Sequence, residues 1–331
     1  DLDSSGVLDD CEPVVAFFER IAPSGLADGF VRRWSGSAWE AVGAPLDAVP
    51  GGFDSPALAI APDGTLFLAW MESEGPEQFV YVSQHSGSVW EPVGSRQDAV
   101  PGESAISPDL VVDSTGAPIV AWIEGVAIHV ARWSGTAWDP LGGDLDAPSA
   151  VRMRVDGSDR PIVASTGVDS SGTRRVSVRR FNGTVWEPLA TGLLARVGGS
   201  ASNVDIDLDG DVPVIVWLED RMGTLELHVR RLEGASWVPI GSEITSALGV
   251  SAVYPKDIAV RGAEVFVTLQ LLGDVSFVVA RYDGIDWASV GPTFVGGGPP
   301  VIRLDECGEP VVAREVIDGS ALSIQVSRAS R

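Results

Sequence analysis

Arg33-Trp34-Ser35-Gly36-Ser37-Ala38-Trp39 decides the fold, because the chain repeats it. The later copies are His85-Ser86-Gly87-Ser88-Val89-Trp90, Trp133-Ser134-Gly135-Thr136-Ala137-Trp138, Phe181-Asn182-Gly183-Thr184-Val185-Trp186, Leu232-Glu233-Gly234-Ala235-Ser236-Trp237 and Tyr282-Asp283-Gly284-Ile285-Asp286-Trp287. Each is a tight turn around Gly, closed by Trp, and successive closing Trp residues lie 48 to 51 positions apart. A fixed period of that size means a propeller, a solenoid or an array.

Working outward, one period resolves into four strands. Strand A is Pro56 to Ala61, and the turn Pro62-Asp63-Gly64 leads to strand B, Thr65 to Trp70. Strand B is a near-continuous apolar run, the pattern of a strand buried on both faces. Strand C is Phe79 to Ser83, and strand D starts at Trp90. Strand B recurs seven times, from Pro13–Phe18 to Pro310–Glu315, and strand C seven times, whereas the Trp hairpin recurs six times. The expectation is one all-β domain over residues 1–331, a seven-bladed β-propeller of four-stranded antiparallel blades. The last blade lacks its own outer strand. The blades fall near 1–50, 51–101, 102–146, 147–197, 198–248, 249–295 and 296–331. A pair of β-sandwiches would not give seven near-identical strand signatures. Radial repetition also leaves only short, protected edges.

Composition agrees with a folded, exported protein. Apolar residues make up 45% of the chain, enough for a large core. The net charge of −23 argues against nucleic acid and anionic membrane surfaces as partners. No apolar run approaches the roughly 20 residues of a membrane span. Lys256 is the single lysine and reads as composition. Asp1 opens the chain without Met, as in a processed or excised piece, so a monomer or part of a larger chain is expected. Cys11 and Cys307 sit in matching contexts near the two ends, Leu8-Asp9-Asp10-Cys11-Glu12-Pro13 and Leu304-Asp305-Glu306-Cys307-Gly308-Glu309-Pro310. A disulfide there would tie first blade to last and place the protein outside the cell, at its surface or in the periplasm. The alternative is two unpaired thiols.

Ser55-Pro56-Ala57-Leu58-Ala59-Ile60-Ala61-Pro62-Asp63-Gly64-Thr65-Leu66-Phe67-Leu68-Ala69-Trp70 resembles the A–B hairpin of bacterial exported β-propellers of the sialidase/BNR-like group. The resemblance implies the propeller fold. The sialidase Asp-box, Ser-x-Asp-x-Gly-x-x-Trp, is not reproduced; Asp283-Gly284-Ile285-Asp286-Trp287 differs in spacing.

Candidate site residues follow from where the repeat puts charge. Glu19, Glu72, Glu124 and Glu219 end strand B, at the start of the B–C connections. With the D–A connections these read as the longer loops, and variable loops on a rigid scaffold are where function concentrates. The four acids are either a ring receiving a cation or polyol, or repeated caps of loop amides. Strand A, the innermost, carries Arg152 and Arg303, and Tyr254 stands at the head of one copy. A sialidase-like enzyme would need an Arg cluster, a Tyr and an acid there, and Tyr254, Arg152, Arg303 and Glu219 could supply them. No cofactor is called for, and calcium is the one ion two acidic stretches suit; the alternative is that they are an A–B turn and a strand A that other repeats make without metal. Asp205, Asp207 and Asp209 precede Gly210 at loop spacing, and Asp1, Asp3 and Asp9 form a second set. His129 and His228 share one strand position, as inherited strand residues do. The closing Trp residues read as inter-blade packing, with sugar stacking as the competing reading.

The sequence therefore points to a non-catalytic binding module whose ligand is a glycan or a protein, held on the face of the B–C and D–A loops. The alternatives are a carbohydrate-active enzyme, glycosidase or lyase, on the same scaffold, and a structural repeat domain of a larger surface protein.

Overall fold

Strand B shows why the chain folds as it does. Leu66 to Met71 and Pro118 to Glu124 are buried at every position, so both faces of the strand must be covered. A sheet stacked between two others provides that cover. In the computed structural model the described residues are 13–21, 26–47, 52–146, 148–169, 171–193, 199–250, 253–271, 276–305, 309–318 and 321–328. They form a seven-bladed β-propeller of antiparallel blades, as the repeat count predicts.

Blade 1 holds β1 (Val14–Ile21), β2 (Leu26–Trp34) and β3 (Trp39–Ala41). Blade 2 holds β4 (Asp54–Ile60), β5 (Leu66–Glu74), β6 (Glu77–His85) and β7 (Trp90–Pro92). Blade 3 holds β8 (Ala105–Val112), β9 (Pro118–Glu124), β10 (Ala127–Trp133) and β11 (Trp138–Pro140), with the short β12 (Leu145–Asp146) also paired to β10. Blade 4 holds β13 (Pro148–Val155), β14 (Pro161–Val168), β15 (Arg174–Phe181) and β16 (Trp186–Leu193). Blade 5 holds β17 (Ser200–Asp209), β18 (Val212–Arg221), β19 (Thr224–Glu233) and β20 (Ser236–Pro239). The helix α1 (Ile244–Leu248) precedes blade 6, which holds β21 (Val253–Arg261), β22 (Glu264–Leu271), β23 (Ser276–Tyr282) and β24 (Trp287–Val295). Blade 7 holds three strands, β25 (Val301–Leu304), β26 (Pro310–Asp318) and β27 (Ala321–Arg328). Among the described residues it has no outer strand, in keeping with the count of Trp hairpins. No helix among the described residues is long and apolar enough to cross a membrane.

The chain divides into two compact units, Asp1–Ile162 with Arg180–Glu187, and Val163–Arg179 with Pro188–Arg331. In the first, Phe67, Ala69, Val80, Val82, Leu110, Val120 and Trp122 form one apolar cluster between blades 2 and 3. In the second, Val214, Val216, Ile258, Val265, Val267 and Trp287 form its counterpart between blades 5 and 6.

The Trp phrase has a mechanical meaning. Four of the closing indoles each donate to a carbonyl of the preceding blade, three positions after that blade's own Trp. Trp90 reaches Val42 O at 2.8 Å, Trp138 reaches Val93 O at 2.9 Å, Trp186 reaches Leu141 O at 2.7 Å and Trp287 reaches Ile240 O at 3.1 Å. The next residue is always glycine at positive φ: Gly43, Gly94, Gly142 and Gly241, at 67 to 72°. The ring of the next blade lies over it, so that a Cβ on Gly94 would stand 2.6 Å from Trp133 and 3.0 Å from Trp138. Only glycine meets both demands. The Trp residues therefore staple blades together, as the packing reading expected.

One expectation needs correction. The B–C connections of blades 2, 3 and 5 are two-residue turns, Gly75-Pro76, Gly125-Val126 and Met222-Gly223. The ladder runs on through polar residues, with Glu72 opposite Phe79, Ser73 opposite Gln78 and Glu74 opposite Glu77. Backbone pairing needs no apolar side chain, so a polar strand end reads as a loop. Likewise β1 continues to Ile21 and β2 begins at Leu26, so the strands of blade 1 also reach further into the B–C connection than expected. The long connections are those between strands D and A.

Candidate functional site

The acids at the end of strand B are not a solvent-facing ring. Glu72, Glu124 and Glu219 are buried, and Glu19 is exposed. Trp70 Nε1 donates to Glu72 at 2.6 Å and Trp122 Nε1 to Glu124 at 2.7 Å. Glu124 also accepts Ala99 N at 3.0 Å and Val100 N at 2.7 Å, which ties down the D–A loop entering blade 3. Glu219 faces His228 Nε2 at 3.7 Å, with that imidazole packed on Trp217. The geometry is that of loop capping by a buried carboxylate, which satisfies several donors at once.

The inner strands carry a second arrangement. In the second unit, Ile258 N donates to Asp205 at 3.1 Å, Val260 N to Asp207 at 2.8 Å and Gly262 N to Asp209 at 2.8 Å. Arg231 pairs with Asp209 at 2.7 Å. These three carboxylates lie on a continuous strand and cross-link β17 to β21. Among the described residues, no three His, Cys, Asp or Glu converge as a metal site. Asp1, Asp3, Asp9, Cys11 and Cys307 lie outside the described residues. Asp257 extends the same ladder, accepting Ile302 N at 2.8 Å and Arg303 Nη1 at 2.7 Å. In the first unit Asp109 accepts Met153 N at 2.6 Å. Arg152, next in chain to Met153, donates to Val151 O at 2.8 Å.

The head of strand A is bulged in several blades, between Asp54 and Ala57, between Ile106 and Asp109 and between Ser202 and Asp205, and β21 repeats the feature. The register of β21 on β22 jumps between Pro255 and Asp257, leaving Lys256 as an extra residue with no partner opposite. Such a bulge re-aims a side chain out of the ladder. Partial burial pushes the Lys256 ammonium below the usual lysine range, because desolvation disfavours the charged form. Its Nζ stands 5.7 Å from the ring centre of Tyr254. Arg303, two-thirds exposed, is anchored on Asp257, the residue next to Lys256. The structure thus brings Tyr254 and Arg303 to neighbouring inner strands, and adds Lys256, which composition alone gave no reason to choose.

A further cleft of about 460 Å³ lies at the A–B and C–D turns of the first unit, lined by Asp113, Thr115, Arg132, Trp133, Ser134 and Asp159. Arg132 Nε stands 3.3 Å from Asp113, and its Nη2 donates to Asp159 O at 2.7 Å. Asp159 has φ of 59° and accepts both N and Oγ of Ser114. Arg231 repeats the device, holding Asp209 and the carbonyl of Gly262. Sequence reading missed this cleft, since turn residues carry no strand pattern; the recurring Arg before the Trp phrase was its signal.

No protein-family model and no curated protein matches the chain. Solved structures do. An ulvan lyase, a polysaccharide lyase, superposes at TM-score 0.61 and 12% identity, over 96% of this chain and 89% of that one. The β-propeller domain of the Trilobed protease from Pyrococcus furiosus superposes at TM-score 0.58 and 10% identity, over 96% and 89%. A Hadza microbial sialidase superposes at TM-score 0.52 and 14% identity, over 92% and 73%. The likeness to the sialidase group is thus one of fold.

Proposed function

We propose that this propeller is a carbohydrate-active enzyme that cleaves a uronate-containing polysaccharide by β-elimination at the head of β21. The observation that carries the reading is Lys256, displaced from the ladder by a bulge and lowered in pKa by burial, beside Tyr254. A lysine whose pKa burial lowers gives up its proton more readily than an exposed one, and an amine is a suitable general base for a proton α to a carboxylate. Arg303 supplies a cation that would hold that carboxylate, and Tyr254 a hydroxyl that would protonate the leaving oxygen. Hydrolysis by a carboxylate pair is less well supported, because such a pair must be free to reach the sugar. Here Asp205, Asp207, Asp209 and Asp257 are each bonded to the next strand. The lyase and sialidase among the structural neighbours support a glycan as substrate by analogy of scaffold. An extracellular location accords with such a substrate.

The same commitment of the inner carboxylates favours a second reading, a glycan-binding module without catalysis. One experiment separates them. The protein is incubated with a panel of polyuronides and the ultraviolet absorbance of unsaturated uronate is followed, with Lys256→Met as control. The enzyme reading expects the absorbance to grow with wild-type protein and not with the variant. Retention of a polysaccharide without cleavage by either protein would establish the binding module instead.

A further inference from the structure

The chain has two asparagines, Asn182 and Asn203. Asn182 precedes a glycine in the C–D turn of blade 4, between β15 and β16. In other copies of this turn the residue at the same position accepts from turn amides. Ser35 Oγ accepts Ala38 N at 3.4 Å, and Ser134 Oγ accepts Ala137 N at 3.2 Å. Asp283 uses a carboxylate, accepting Ile285 N at 2.9 Å and Asp286 N at 3.2 Å. A hydroxyl or a carboxylate thus closes the turn as well as an amide does. Of the six copies, only that of blade 4 carries an amide there.

The amide is held at both ends. Asn182 Oδ1 accepts Thr184 N and Val185 N, both at 2.9 Å. Its Nδ2 donates to Glu187 Oε1 at 2.6 Å. Asn182, Gly183 and Glu187 are exposed, so water reaches the turn. Gly183 has φ of 100°, and a Cβ there would meet nothing within 4 Å, so the backbone nitrogen beside the amide is uncrowded. No described group accepts from Gly183 N. Two N–H groups aimed at one carbonyl oxygen stabilise the negative charge that gathers there when the carbonyl carbon is attacked.

We propose that Asn182 is a self-modification site, which loses its side-chain amide with the backbone nitrogen of Gly183 as nucleophile and water as co-reactant. Gly183 N attacks Asn182 Cγ and gives up its proton. The charge on Oδ1 is held by the Thr184 and Val185 N–H groups. Glu187 receives the released proton through water and passes it to Nδ2, so the Cγ–Nδ2 bond breaks and ammonia departs. A five-membered imide then joins residues 182 and 183. Water opens it at one of its two carbonyls, leaving aspartate or isoaspartate at position 182. Aspartate suits the turn, as Asp283 does in blade 6. Isoaspartate adds a methylene to the main chain just before Trp186, whose indole holds Leu141 O, and so loosens that staple.

The test incubates the 331-residue protein at mildly alkaline pH, beside the free octapeptide of residues 180–187, Arg-Phe-Asn-Gly-Thr-Val-Trp-Glu. Peptide mass spectrometry follows the change from amide to acid, and released ammonia is assayed. The folded protein should convert Asn182 at least as fast as the peptide does. Asn203, followed by the β-branched Val204, should keep its amide. Glu187→Gln leaves an acceptor for Nδ2 but no proton to relay, and should slow conversion in the folded protein about tenfold or more. Thermal unfolding checks that this variant folds, and the converted wild-type protein should melt at a lower temperature than the fresh protein. Retention of the Asn182 amide in the folded protein while the peptide converts overturns the proposal. So does a rate unchanged by Glu187→Gln, or equal loss at Asn182 and Asn203, since the turn would then contribute nothing.

Discussion

Removing the Glu124 carboxylate should cost more stability than any exposed acid in the chain. Glu124 is 1% exposed and accepts three hydrogen bonds, from Ala99 N, Val100 N and Trp122 Nε1. In Glu124→Ala the two loop amides, on exposed residues, turn to water, so each loses only the net worth of a bond to a charge, about 1 kcal/mol after rehydration. Trp122 is buried, and its indole is left without an acceptor, at about 1–3 kcal/mol. The total is about 3–5 kcal/mol, a large share of the 5–15 kcal/mol typical of a domain. Glu124→Gln keeps one oxygen as acceptor but turns an amide NH₂ toward donors, for about 1–2 kcal/mol. Glu19→Ala, at an exposed position, should stay within about 0.5 kcal/mol. Urea midpoints of the three variants measure this directly. A Glu124→Ala midpoint indistinguishable from that of Glu19→Ala would refute the reasoning, because the carboxylate would then be doing no capping.

Other outcomes follow from the same contacts. Gly94→Ala should cost about 3 kcal/mol, since it combines left-handed strain with a Cβ 2.6 Å from Trp133, whereas Gly291→Ala should cost about 1–2, the strain alone; paired thermal melts compare them. Trp138→Phe removes the bond to Val93 O and should lower stability by about 1 kcal/mol in urea titration. Burial raises the Asp156 carboxyl, but hydrogen bonds from Arg160 and Ser158 outweigh it and leave the pKa below the ordinary 3.8. The stabilisation from Asp156 is therefore fully present above about pH 4 and is lost as pH falls through the depressed value. Asp156→Asn should flatten the acid limb of a stability–pH curve below about pH 4, and an unchanged limb would contradict it.

The repeat was legible because Trp, Gly and the strand B runs are local signals that the fold copies. The period, the blade count and the missing outer strand all rest on them. The B–C turns were misread because Glu72, Ser73, Glu74, Glu77 and Gln78 are polar, and polarity at a strand end looks like a loop. The strand B acids share one repeat position, yet the burial of Glu72, Glu124 and Glu219 depends on neighbouring indoles and loop amides that only folding brings together. Asp205, Asp207 and Asp209 have the spacing of a cation loop, which cannot be told by spacing from an alternating strand whose carboxylates reach the next blade. Lys256 was read as composition for a related reason. Its displacement comes from a register jump against β22, and a bulge leaves no mark in composition.

The central claim is that sugar chemistry occurs at Lys256. A crystal structure of Lys256→Met bound to a uronate oligosaccharide tests it most directly. The account predicts a uronate carboxylate on Arg303, with its α carbon within about 4 Å of the side chain at position 256 and Tyr254 in hydrogen-bond reach of the glycosidic oxygen. An oligosaccharide seated elsewhere, for example over Trp133 in the turn-end cleft, with the head of β21 empty, would contradict it.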